Sequence, residues 1–371
     1  MLLSLCSSLP HALPARVKVA VIGAGVAGLR CAEQLASAGC DVHVLEASDG
    51  VGGRVRSDLH PEGFILDRGF QVFLDFYPEA RLALDLASLE LDNFIPGALV
   101  LGKEQRPLLI ADPRRYPQAL FATVLSPLAS ARDKLALALA IIRLKFLDLE
   151  QIMTREEYTT QVYLSENVGL SAGLISSFFQ PFLQGVFLSP LTRQSSRMFD
   201  FVVRAFVDGS ACLPRHGIGA ISEQLATSAM DAGAVISLDR RVCRLETGHL
   251  ADCRAHTVHL SDGGALECDA LVIATDQPSA ERLLDKTEDE VGEASQERTA
   301  AASTVLYFAL DGEPPVSEPI LLLNAEAQLD GCTINNIRLS QKKISFSEFA
   351  CSCEAGLEKK WPVGAFCDVT S

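Results

Sequence analysis

Val17-Lys18-Val19-Ala20-Val21-Ile22-Gly23-Ala24-Gly25-Val26-Ala27-Gly28 is the stretch on which the fold turns. Apart from Lys18, residues 17–22 are apolar and mostly β-branched, and they run straight into glycine, as a strand buried in a parallel sheet does. Ala, Leu and Cys recur at helical spacing from Gly25 to Ser37, and Gly39 stops that helix. Asp41-Val42-His43-Val44-Leu45-Glu46 then reads as a second strand. Between strand and helix lies G-x-G-x-x-G. Gly23 allows the tight turn, Gly25 lets the backbone approach a pyrophosphate, and Gly28 lets helix and strand pack closely. The helix start offers unpaired N–H groups and the positive dipole end to phosphates. Glu46 follows Gly28 by 46 − 28 = 18 residues, where an acid bonds ribose hydroxyls and repels a 2′-phosphate, which favours FAD or NAD over NADP. Gly23, Ala24, Gly25, Val26, Ala27, Gly28 and Glu46 are the expected dinucleotide contacts.

The bulk of the chain sets limits on this reading. With 371 residues it is long for one core, so a dinucleotide domain plus a second domain is expected. A hydrophobic fraction of 48% and a mean hydropathy of +0.21 exclude global disorder. The net charge of −15 and pI of about 4.9 argue against nucleic acid as a partner. The 11 cysteines show no zinc-site spacing, so no metal is assigned and reduced thiols are expected. No apolar run reaches membrane-spanning length. Met1 to Arg16 holds Ser, Leu, Ala, one His and one Arg but no acid, a composition that suits a targeting segment for a plastid or other organelle. A cytoplasmic location is the alternative.

The choice of cofactor rests on Asp49-Gly50-Val51-Gly52-Gly53-Arg54. Gly52 and Gly53 let a loop press on an anionic cofactor, and Arg54 supplies a planar fork of donors for phosphate. The run V-I-G-A-G-V-A-G-L…V-L-E-A…G-G-R resembles the FAD superfamily of flavin amine oxidases and phytoene desaturases, which implies FAD. The likeness continues less sharply through Phe64 to Gly69, Phe179 to Phe187, Leu213 to Gly219 (similar to P-x-G-G-M, with His216 and Ile218 substituted) and Leu271 to Thr275. It implies that Val242 presents its backbone to adenine, and it covers about residues 17–336.

The resemblance implies an α/β fold: a discontinuous Rossmann-type FAD-binding domain with an inserted, helix-rich substrate domain. The expected segments are 17–110 and 231–280 for FAD, 111–230 for the helix-rich insertion and 281–336 for substrate-domain strands. Residues 337–371 form an atypical tail without strand–turn–helix grammar. The superfamily closes its FAD site with a second, C-terminal motif, an acid after Gly followed by a helix. Its absence from 337–371 leads to the expectation of a truncated isoform or misjoined gene model. The implied function is FAD-dependent oxidation of a C–C or C–N bond, with an apolar isoprenoid preferred as the small-molecule substrate. A flavin amine oxidase and a non-catalytic dinucleotide-binding protein are the alternatives. No catalytic residue is assigned: His216 is read as a loop histidine, Asp67 and Arg68 as a local surface ion pair, and Phe178 to Phe206 as core before pocket lining. The stretch Asp133 to Leu149 is read as buried, with peripheral membrane contact as the alternative. Oligomeric state is not legible.

Overall fold

The computed structural model describes residues 17–69, 72–101, 108–246, 256–284, 304–309, 319–324, 333–337, 340–341 and 344–352. The segment 1–16, residues 285–303 of the expected substrate-domain strands and residues 353–371 of the expected tail lie outside them. The chain divides into two compact units: Met1–Ser57 with His216–Thr299, and Asp58–Arg215 with Ala300–Ser371.

The first unit is built on β1 (Lys18–Ile22), α1 (Val26–Ser37) and β2 (Asp41–Leu45). Its parallel sheet runs in the order Val235–Ser237, β2, β1, Ala270–Ile273. After Lys18 every β1 residue is buried, as the uninterrupted apolar run requires of a central parallel strand. α1 turns Gly28, Leu29, Ala32 and Ala36 inward, a single face at helical period, and the helix Gly219–Asp231 packs against it. A three-stranded antiparallel sheet, Val242–Glu246, His256–Leu260 and Ala265–Cys268, completes the unit. The turn Ser261–Gly264 joins the last two strands, as its Asp-Gly-Gly composition suits.

The second unit joins strands to a helical layer. Gly97–Leu101 pairs in parallel with Leu321–Asn324 and antiparallel with Leu108–Ala111, within a seven-stranded sheet. Ala211–Pro214 lies between Phe73–Leu74 and Leu91–Asn93. Apart from the local Gly97–Leu101 pair with Leu108–Ala111, these pairings join residues over 100 positions apart, and they assign 58–101 to this unit rather than to the dinucleotide unit. The unit divisions at 57/58, 215/216 and 299/300 therefore differ from the expected 110, 230 and 280. Ile344–Ser352, within the expected atypical tail, is a strand between Thr304–Ala309 and Thr333–Ile337. The Ile344-Ser345-Phe346-Ser347 alternation at its start is the missed signal.

The helical core gathers Tyr163, Leu164, Leu170, Leu174, Ile175, Phe179, Leu183, Leu191 and Phe199, so the Phe-rich stretch packs largely as core. Two buried acids hold the layer together. Asp133 bonds Ser130 and Ser171, and Asp200 accepts from the Tyr163 hydroxyl at 3.2 Å and pairs with Arg155. Burial pushes the Asp200 carboxyl up to about 6 against the pull of Arg155 and Tyr163. The expected Asp67–Arg68 pair does not form. Neighbours on a strand point to opposite faces: Asp67 is buried, and Arg68 makes a bidentate pair with Asp58 at 2.8 and 2.9 Å.

Candidate functional site

The first unit brings together the turn 23–28, the end of β2 at Glu46, and the loop 49–56. Gly23 has φ +101°, and Gly23 N–H donates to Leu45 O at 2.8 Å, which locks the turn out of β1 to the end of β2. A Cβ on Gly28 would lie 2.0 Å from Gly23 O and 3.2 Å from Ala274 Cβ, so this glycine is required by helix–strand contact. Gly25 differs: a Cβ there would meet nothing within 4 Å. It is the N-cap of α1, with no side chain capping the helix and no acid in the first turn. The helix start therefore keeps its N–H groups and its positive end facing open space.

The double-glycine loop lies directly against this turn. Gly52 N–H donates to Ala24 O at 2.8 Å, and Gly25 and Gly52 form an isolated parallel bridge. Gly52 has φ +110° and Gly53 φ +57°, the left-handed region that glycine adopts without strain. A Cβ on Gly53 would come within 3.7 Å of Gly25 Cα, which places its backbone at the same opening.

Glu46 holds two of these segments. Its Oε2 accepts from Ala24 N–H at 2.7 Å, and its Oε1 accepts from Ser48 N–H at 2.9 Å and Ser48 Oγ at 2.8 Å. A carboxylate offers about four lone-pair positions, so Oε2 retains one for a ligand hydroxyl. The link 237–241 runs beside it: Glu46 N–H donates to Ser237 O at 2.9 Å, and Arg240 N–H donates to Glu46 O at 2.8 Å. Val242 follows immediately, opposite Leu260, with a β-bulge before Arg244. Burial, first, and Arg240 lower the pKa of His43 against the pull of Asp41, and its Nε2 is 2.8 Å from Ser237 Oγ.

Ala24 is fully buried beneath the turn, so only its backbone serves the site. Val26 and Ala27 are exposed on the first turn of α1. Arg54 is also exposed, and the half-buried cation of the loop is Arg56, paired with Asp49 at 2.8 Å and packed over Gly50. Ser222 escaped the sequence reading, and Gly219 entered it only as the end of the Leu213–Gly219 likeness. Ser222, 1% exposed, donates from Oγ to Val55 O at 2.7 Å, and Gly219 N–H donates to Ser57 Oγ at 2.8 Å. Both lie on the helix Gly219–Asp231, which starts where the P-x-G-G-M likeness ends, so that likeness pointed at this helix but not at its serine. His216 is exposed.

A family model described as flavin containing amine oxidoreductase matches residues 26–336. The carotenoid 3,4-desaturase of Haloarcula japonica is 24% identical over 353 residues, covering 82% of this chain and 66% of that protein. The phytoene dehydrogenase of Streptomyces griseus is 29% identical over 294 residues, covering 72% of this chain and 56% of that one. The chain thus spans less than two thirds of either relative. A crystal structure of an oxidoreductase from Methanosarcina mazei superposes with a TM-score of 0.66 at 18% identity, over 91% of this chain and 79% of that one, which establishes a shared fold.

Proposed function

The chain belongs to the flavin containing amine oxidoreductase family, whose members are FAD-dependent oxidoreductases, and from that premise we propose that it oxidises a C–C bond of an apolar isoprenoid. The observation that carries the cofactor assignment is the opening at Gly25, bounded by an uncapped helix start and the backbone of Gly53. The donor set fits the ADP half of FAD. Gly23, Gly25 and the first turn of α1 seat the pyrophosphate, Glu46 takes a ribose hydroxyl on its remaining Oε2 lone pair, and Val242 offers backbone to adenine. Arg54 and Arg56 add positive charge beside the loop. Bound flavin supplies the acceptor for the hydride equivalent, so the chain's own work here is binding and orientation. Support for the substrate class comes from the desaturase relatives, whose matches run over most of this chain. An L-amino-acid oxidase of Pseudechis australis matches 57% of it, which keeps a C–N bond as the second reading.

The test is the visible spectrum of the purified chain after incubation with FAD. A flavin band near one per chain, bleached by an isoprenoid under anaerobic conditions, is the expected result. Bleaching by an amine alone would move the reading to C–N oxidation. Colourless protein that cannot be reconstituted would leave a non-catalytic dinucleotide-fold protein.

A further inference from the structure

The helical layer leaves a large apolar face uncovered. The helix Ala131–Lys145 is apolar nearly all round, and a helix of that kind is ordinarily buried on every side. Here Asp133 and Leu144 are buried while Leu135, Leu139 and Ile142 are exposed, with Phe146 at the C-cap 84% exposed. On the preceding helix, Leu120–Leu125, Phe121 and Leu125 are each 76% exposed. Lys134 Nζ ties the two helices together, donating to Val124 O at 2.7 Å and Ser126 O at 2.9 Å. Burial of the whole stretch, the sequence expectation, thus fails along its outer face.

At 3.6 residues per turn, positions 132, 135, 139, 142, 143 and 146 fall within an arc of about 100°. Arg132 and Arg143 form one edge of that arc and the apolar residues fill the rest. Neither arginine forms an ion pair within 4 Å among the described residues, although Arg143 is near enough to Asp200 to act on its carboxyl. Residues 113–147 hold six Lys and Arg against one acid, Asp133, in a chain of net charge −15. Arg114 is paired with Asp112 and Lys145 with Asp208, which leaves Arg132 and Arg143 as the exposed cations of this arc. Asp133 is buried and bonded inward, so it does not face this surface. Acids resume only at Asp148.

We infer that this face lies on an anionic lipid bilayer, with Phe121, Leu125, Leu135, Leu139, Ile142 and Phe146 among the acyl chains and Arg132 and Arg143 at the phosphates. Charge decides between this and a second copy of the chain. An antiparallel two-fold contact through the face would set Arg132 and Arg143 against a like-charged edge, and a parallel one would set them against the apolar edge at Ile142, whereas lipid phosphates complement them. Among the described residues no helix is long and apolar enough to cross a membrane, so the contact is interfacial. This inference stands apart from the redox reading and needs neither flavin nor substrate.

The experiment is co-flotation of the purified full chain with vesicles of phosphatidylcholine alone and of phosphatidylcholine with phosphatidylserine. Stronger flotation with phosphatidylserine, weakened by salt, is expected. Phe121→Asp with Leu125→Asp should lower partitioning about a hundredfold, since each buried side chain is worth about tenfold or more. Arg132→Glu with Arg143→Glu should lower it more than about tenfold on phosphatidylserine vesicles and less than about twofold on phosphatidylcholine. All four positions are exposed, and an unchanged far-ultraviolet circular dichroism spectrum and thermal midpoint identify a surface effect. Absence of flotation overturns the inference, as does flotation that neither pair alters. A dimer dissolved by the aspartate pair, without flotation, would give the face to self-association instead.

Discussion

In the turn at residues 23–28 one methyl group decides the outcome, while in the helical layer 120–208 the sequence distinguishes poorly between inside and outside. Two of its glycines, Gly28 and Gly25, sit three residues apart. One has a carbonyl at 2.0 Å from its added Cβ and the other has open space. On the helix Ala131–Lys145, Leu144 is buried while Leu139, five residues earlier, is exposed, and nothing in their chemistry separates them. Backbone constraint is local and is written in residue type. Burial depends on which distant element arrives.

The sharpest way to break that contrast is Gly28→Val. Overpacking against Gly23 O and Ala274 should cost more than about 3 kcal/mol, much of a small domain's stability. The expected outcome is loss of soluble protein or a steep fall in thermal midpoint. Gly25→Val tests the other half. With no protein atom near the new Cβ, the apo protein should unfold within a few degrees of the parent, while FAD affinity falls at least about hundredfold, or about 2.7 kcal/mol. Fluorescence titration with FAD reads the affinity. Equal destabilisation by the two substitutions would mean that Gly25, too, serves packing, and the proposed pyrophosphate seat would be lost.

The same contrast explains what was legible. β1, α1, β2 and Glu46 could be read because each depends on neighbours within about thirty residues and on a motif with a physical reason at every position. The pairing of Gly97–Leu101 with Leu321–Asn324 could not be read, since neither run specifies its partner. Arg54 stands out in the sequence by its motif position, whereas the burial that distinguishes Arg56 is not visible there. Ser222 carried no local signal: a serine inside a helix is ordinarily unremarkable, and this one matters because Val55 O lies 2.7 Å from its hydroxyl. Asp133 resembled an ordinary first-turn acid, and its reach to Ser171, 38 residues on, became apparent only in the fold.

Asp133 therefore sharpens the comparison inside the helical layer. Burial raises its pKa, but hydrogen bonds from Ser130 and Ser171 outweigh burial and hold the carboxyl at about 2. A carboxyl depressed in the fold contributes stability that is present above its unfolded pKa of about 3.9 and lost as pH falls toward about 2. The contribution is about 2–3 kcal/mol. Acid unfolding between about pH 4 and pH 2 should lose that part of its slope in Asp133→Asn, and the variant should be less stable at pH 7 by a similar amount. An unchanged slope would show that the Ser130–Asp133–Ser171 network is not what secures the start of this helix.

The smallest effect is expected at Ser222→Ala, which asks whether the dinucleotide site is held by glycines alone. Its hydroxyl is buried and satisfies Val55 O, so removal takes this donor from a half-buried carbonyl, at a cost of about 1 kcal/mol. Val55 is also fixed from the other side, donating its N–H to Gly52 O at 3.0 Å. Loosening it should let Gly52 and Gly53 drift from Gly25. If the loop acts as a wall of the site, FAD affinity should fall a few-fold with the thermal midpoint, and saturating FAD should restore part of the lost stability by mass action. If the glycines alone set the wall, only the midpoint will move. That outcome would confine the serine to packing and return the whole of the site's geometry to its backbone.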